Sequence, residues 1–300
     1  MEGPTPAQLA ESSSDGMEGL TPAQLADYHR DGFLVIPGFW TPATVAALKA
    51  ASDGLLASFT PPPSAKSVFC TDEQERTSDA YFLTSGDAVR YFFEKGALDA
   101  QGALLVPKEQ AINKVGHALH ELHPAFRAVS LECPRVAAVC RSLGFRRCLV
   151  PQSMLICKPP RIGGAVLPHV DGAFLYTDPQ SVVGLWWPLE DCTLTNGCLW
   201  AVPGSHRGGV QRRFKRNAAG TGTEFEPREE GPPFATEGAV PLVIGRGSLV
   251  LLHSSVVHFS HGNTSDTSRF AYSIHVVEGD GVAWPADNWL QRASPFPAIF

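Results

Sequence analysis

The segment Leu167-Pro168-His169-Val170-Asp171-Gly172 decides how the chain is read. It has the character of a strand end, and in a strand residues i and i+2 face the same side. The imidazole of His169 and the carboxylate of Asp171 can therefore reach one point. One further imidazole aimed there completes a 2-His-1-carboxylate facial triad, which leaves open positions on a divalent iron. Taken alone, His-x-Asp arises often by chance, and the plain alternative is a satisfied histidine beside a turn aspartate.

Working outward, the third ligand has to come from the other nine histidines. His258 is the best candidate, with His253 next. His258 follows the apolar strand Leu249-Val250-Leu251-Leu252 and precedes Arg269 by eleven residues. That spacing suits a strand, a turn at Gly262-Asn263 and a returning strand. It sets a guanidinium fork beyond the metal, where it suits a remote carboxylate. An open-sided iron with such an arginine is the layout that takes 2-oxoglutarate. His117 and His120 lie i, i+3 and have no third ligand nearby, so they read as structural. His29 reads as solvent-facing and His206 as a turn residue.

The surroundings are strand-rich. From Cys148 on, short apolar runs (149–157, 182–188, 199–202, 248–253 and 269–277) are separated by Gly, Pro and Asp and read as strands. The first half reads as helices. Thr21-Pro22 and Thr41-Pro42 are start signals, and amphipathic segments are expected over 86–96, 115–122 and 135–143. Helices followed by many short strands give an α+β class with a β-sandwich or barrel. The N-terminal helices are expected to pack outside the sheet. Residues 1–10 return almost unchanged at 17–26, so residues 1–16 read as a duplicated, frayed tail and 17–300 as one domain. Met17 is an alternative start. Residues 204–238 form the one long interruption.

Composition bounds the partners. Across 300 residues the net charge is −6, which argues against nucleic acid as a bulk electrostatic partner. No apolar run approaches the roughly 18–20 residues that span a bilayer, and no secretory signal is evident. Seven cysteines without a Cys-x-x-Cys pair read as reduced core thiols in a reducing, cytoplasmic setting. Arg207, Arg212, Arg213, Lys215 and Arg216 form a basic stretch. It reads either as a solvated loop or as a lid for an anionic substrate.

Several blocks together resemble the phytanoyl-CoA dioxygenase family. They are His169-Val170-Asp171, Asn196-Gly197-Cys198-Leu199-Trp200 leading to Pro203-Gly204-Ser205-His206, and His258 with Arg269. Asp31-Gly32-Phe33-Leu34-Val35, the runs 81–87, 92–96 and 112–120, and Asn288-Trp289-Leu290-Gln291 extend the likeness over roughly residues 20–295. The resemblance implies a double-stranded β-helix (jelly-roll) core and a dioxygenase using iron(II), 2-oxoglutarate and dioxygen. A small-molecule substrate, lipid-like or CoA-linked, would be hydroxylated with release of succinate and carbon dioxide. It implies His169, Asp171 and His258 as iron ligands and Arg269 for the distal carboxylate. Lys114, Met154, Trp186 and Ser260 would line the 2-oxoglutarate pocket. The retained Asp171 favours hydroxylation over halogenation. Two positions depart from close relatives: Val170 stands for Gln and Phe259 for Lys. A non-catalytic iron/2-oxoglutarate sensor on the same fold is the competing reading. A metal-free interaction module is a third, disfavoured by the intact triad.

Overall fold

The computed structural model describes residues 5, 8–9, 18–60, 80–99, 102–227 and 234–300. Residues 61–79, Cys70 among them, and Met17 lie outside these. In chain order the strands are β1 (Phe33–Ile36), β2 (Val89–Phe93), β3 (Ile112–His117), β4 (Cys148–Ile156), β5 (Val166–His169), β6 (Val183–Pro188) and β7 (Leu199–Ala201). There follow β8 (Arg213–Arg216), β9 (Thr223–Glu226), β10 (Val240–Leu242), β11 (Leu249–His253), β12 (His258–Ser260) and β13 (Ala271–Glu278). They pair antiparallel as a seven-stranded sheet, β1-β11-β6-β13-β4-β3-β2, and a four-stranded sheet, β10-β7-β12-β5. β8 and β9 make a separate hairpin.

Both helix starts are where the sequence puts them. α1 (Pro22–Asp31) is capped by Thr21, whose hydroxyl takes the Gln24 N–H while the Gln24 side chain returns to the Thr21 N–H. This reciprocal cap satisfies two of the helix's orphan donors. Gly32, at φ 82°, ends the helix in the left-handed conformation. Of the duplicated first copy, Leu9 is buried against the core, and Thr5 and Gln8 exchange the same pair of bonds. α2 (Pro42–Ser58) buries Val45, Leu48 and Leu56.

The period-2 alternation of the large sheet separates two environments. Leu155, Leu185, Trp187, Leu251, Tyr272, Ile274 and Val276 join one apolar cluster with Leu48, Phe126, Val129 and Val136 from helices. The other face carries Gly184, Trp186, Gln152, Met154, Ser273 and His275, which stand opposite one another in register across β6, β13 and β4. Trp186, Val250 and Ala271 of this face share a cluster with Leu199, Ala201 and Leu242 of the small sheet. The two sheets therefore meet over the polar face.

Three expected elements differ. Residues 86–96 and 115–122 form β2 and β3, followed by the single turn α3 (Leu119–Leu122), rather than two amphipathic helices. Val89, Phe92 and Phe93 stand at i, i+3 and i+4, so they mimic a helical stripe. The long interruption is ordered where described. A 3-10 turn at Ser205–Gly208 precedes the β8–β9 hairpin, in which Phe214 and Phe225 pair between charged neighbours. Residues 135–143 do form a helix, α4 (Pro134–Ser142).

Candidate metal centre

β5 ends at His169, and its partner directly across the ladder is His258 on β12. Val170 is still extended, at φ −127° and ψ 135°, and Asp171 opens a 3-10 turn. The i, i+2 relation thus survives although Asp171 lies outside the strand. Val170 turns away into an apolar cluster with Ala173 and Val257. The ligand atoms of His169, Asp171 and His258 all lie within 4.8 Å of one another. Asp171 Oδ1 is 3.8 Å from His169 Nε2 and 3.6 Å from His258 Nε2. Donors about 2.1 Å from a first-row ion sit about 3 Å apart in a facial set, so each carboxylate–imidazole pair needs to close by less than ~1 Å.

Backbone carbonyls set the tautomers. His169 Nδ1 lies 2.8 Å from the Leu167 carbonyl and His258 Nδ1 lies 3.1 Å from that of Val256. A carbonyl only accepts, so each Nδ1 carries the proton and each Nε2 presents a lone pair to the ion. Burial alone would push the Asp171 carboxyl up. His275, His258 and His169 around it prevail and hold it well below the usual carboxylate range. The donor set thus fits a divalent first-row metal.

Arg269 is fully buried just before β13. It runs over the Trp186 ring, with Cζ 5.2 Å from the ring centroid. Its Nε and Nη1 have no hydrogen-bond partner among the described residues, nor does the buried hydroxyl of Ser260. Burial lowers the guanidinium pKa, so this cation sits at a cost that a bound carboxylate would offset. Trp186 faces Ser273, one inward pair along from the Gly184–His275 row beside Asp171. That step is ~7 Å along a strand, close to the reach of a five-carbon dicarboxylate. Met154 faces Ser273 from the other side, and the buried Lys114 is on β3 with Nζ 4.0 Å from Met154 Sδ. Trp186, Met154 and Lys114 therefore group around Ser273 on one face of the large sheet, with Arg269 over Trp186. Ser273, also unpartnered, belongs with them and carried no sequence signal beyond its parity with Arg269.

Other histidines have structural roles. His117 Nδ1 bonds Ser85 and His120 Nδ1 bonds Ser153. His253 sits against Tyr28 and His206 rather than with the triad. His29 is exposed. Phe259 stacks on Trp200, away from the ligands. The cations of the basic stretch are largely committed. Arg213 bonds Asp287, Lys215 pairs with Glu226, and Arg216 bonds the carbonyls of Leu83 and Trp289. A lid of free cations is not what these residues build. Instead Phe214 and Phe225 pack on Phe174, whose ring meets that of His169.

Solved structures share the fold. A non-haem α-ketoglutarate-dependent carbocyclase from nogalamycin biosynthesis superposes with a TM-score of 0.61 at 18% identity over 100% of both chains. EctD from S. alaskensis, solved with 2-oxoglutarate and 5-hydroxyectoine, gives 0.58 at 20% identity over 93% of this chain and 83% of its own. Phytanoyl-CoA dioxygenase domain-containing protein 1 of Bos taurus is 47% identical over 90% of this chain and 94% of its own. A phytanoyl-CoA dioxygenase of Arabidopsis thaliana is 46% identical over 87% and 90%. Together with the triad, these define a class, the 2-oxoglutarate-dependent dioxygenases. The profile of the phytanoyl-CoA dioxygenase (PhyH) family matches residues 28–271, and the chain belongs to that family.

Proposed function

We propose that the chain hydroxylates a small organic substrate as an iron(II)- and 2-oxoglutarate-dependent dioxygenase on a double-stranded β-helix core. The observation that carries this reading is the pairing of a convergent His169–Asp171–His258 donor set with a buried Arg269, its Nε and Nη1 without hydrogen-bond partners among the described residues, over Trp186, one inward pair from the row beside Asp171. His169, Asp171 and His258 would hold the iron and leave three positions open. Arg269 and Ser260 would bind the distal carboxylate of 2-oxoglutarate, with Lys114, Met154 and Trp186 lining its pocket. When bound, iron and 2-oxoglutarate supply an oxidant from dioxygen that places one oxygen atom on substrate carbon and the other in succinate.

The protein's own contribution is orientation and dryness. The two carbonyl-anchored imidazoles fix the direction of the donors. Trp186, Ala271 and Leu199 close the cosubstrate side to water. On the other side the half-buried Phe174 stands beside His169, backed by the buried Phe214 and by Phe225. That aromatic side favours a lipid-like substrate. The committed hairpin cations give no support to recognition of a CoA phosphate.

The test is succinate formation from 2-oxoglutarate by purified protein with iron(II) and ascorbate, alongside metabolite profiling for a product 16 Da heavier. Turnover lost in Asp171→Ala supports the reading. Tight 2-oxoglutarate binding without any succinate, under every substrate pool tried, favours the sensor.

A further inference from the structure

His275 is buried in the middle of β13 and has no part in binding the ion or the cosubstrate as drawn above. Its Nε2 lies 3.2 Å from Oδ2 of Asp171. The approach is oblique, and this oxygen has no well-aligned hydrogen-bond partner among the described residues. On the far side of the ring, Nδ1 is 3.1 Å from Gln152 Nε2. An amide N–H only donates, so Nδ1 accepts and Nε2 carries the proton. A bare Nε2 would set a lone pair against a carboxylate at 3.2 Å.

The backbone keeps room for this contact. Gly184, His275 and Gln152 stand in one row across β6, β13 and β4. A Cβ at Gly184 would lie 2.9 Å from Asp171 Oδ2 and 3.6 Å from His275 Nε2. Only a residue without a side chain admits the carboxylate there. The two oxygens of Asp171 therefore have separate surroundings: Oδ1 faces His169 and His258, while Oδ2 faces His275 over a glycine.

We propose that His275 is a positioning residue for the metal centre: its Nε2–H holds Oδ2 of Asp171, so that the carboxylate presents Oδ1 alone to the ion. Gln152 sets the ring, and Gly184 leaves the space. This rests on the reading of Asp171 as a metal ligand. A held second oxygen fixes the carboxylate's rotation and keeps it monodentate, which preserves an open position on the ion. Such partners typically change metal affinity 10–100-fold when removed.

The experiment is titration of the full, metal-stripped chain with cobalt(II), read by d–d absorption, for wild type, His275→Phe, His275→Gln and Gln152→Leu. Melting temperatures without metal separate folding from binding. The expected result is ~10–100-fold weaker cobalt binding and an altered spectrum in His275→Phe. Part of the affinity returns in His275→Gln, whose amide can donate, and a smaller loss appears in Gln152→Leu. If His275→Phe does not fold, Gln152→Leu, which leaves the ring in place, decides. Variants that bind cobalt(II) with wild-type affinity and spectrum overturn the proposal alone. A wild type that takes up no cobalt(II) overturns the metal reading and this proposal with it.

Discussion

The two faces of β13 are built from one strand and differ in almost every respect. Tyr272, Ile274 and Val276 point outward into a close-packed cluster with helix side chains. The Tyr272 hydroxyl, the polar group on that face, bonds Ser130. Arg269, Ser273 and His275 lie toward the small sheet, where Arg269 Nε and Nη1, Ser273 Oγ and Ser260 Oγ are buried without a hydrogen-bond partner among the described residues. A buried polar group without a partner costs roughly 1–3 kcal/mol. The outer face contributes cohesion. The inner face holds its groups ready for a ligand at the expense of stability.

That contrast can be broken in four ways. The largest effect is expected from Asp171→Ala, which should reduce 2-oxoglutarate turnover by about a thousandfold or more while leaving the melting temperature within a few degrees. Residual turnover near wild type would remove Asp171 from the chemistry. On the outer face, Ile274→Ala should cost ~2–5 kcal/mol of stability, measured by denaturant unfolding. Affinity for 2-oxoglutarate in the folded fraction should not change. Arg269→Met should weaken 2-oxoglutarate binding ~10–100-fold, measured by calorimetry, yet unfold at the same or a higher temperature, because an unpaired buried charge is gone. A large loss of stability in this variant would mean that Arg269 has a structural partner. The smallest effect concerns pH. Burial lowers the His120 pKa to about 3, against about 6.5 in an unfolded chain. The unfolded state binds the extra proton, so stability is full above pH ~6.5 and falls as pH drops toward 3, by up to ~1.4 kcal/mol per unit. His120→Gln should flatten that slope in unfolding measured between pH 7 and 4, and an unchanged slope would assign it elsewhere.

Legibility in the sequence follows the same division. The convergence of His169, Asp171 and His258 is readable because ligand spacing and a returning strand leave a mark along the chain. The strands after Cys148 were readable because Gly and Pro punctuate them. β2 is hard to read because Val89, Phe92 and Phe93 at helical spacing say nothing about partners. β3 is a strand because β2 and β4 flank it, which is a tertiary fact. β8 and β9 were hidden by charge: Arg213, Lys215 and Arg216 look like a loop until Asp287 and Glu226 are brought to them. His275 was the costliest omission. A histidine in an apolar strand has no local signature, and only its even spacing from Arg269 through Ala271 and Ser273 hinted at its side. No helix among the described residues is long and apolar enough to cross a membrane, and the six described cysteines are buried free thiols.

The metal site also joins two layers that otherwise meet mainly through side chains. His169 and His258 belong to the small sheet, whereas His275, Gln152 and Gly184 belong to the large one. In the proposed reading Arg269, just before β13 of the large sheet, and Ser260 on β12 of the small one would repeat the same division for the cosubstrate. An ion and a dicarboxylate bound there would act as rivets through the seam, and their binding free energy would become cohesion between the layers. At a hundred times its dissociation constant each ligand adds ~2.7 kcal/mol to the folded state. Hydrogen exchange should register that gain first in β5 and β12, the strands that the rivets pin.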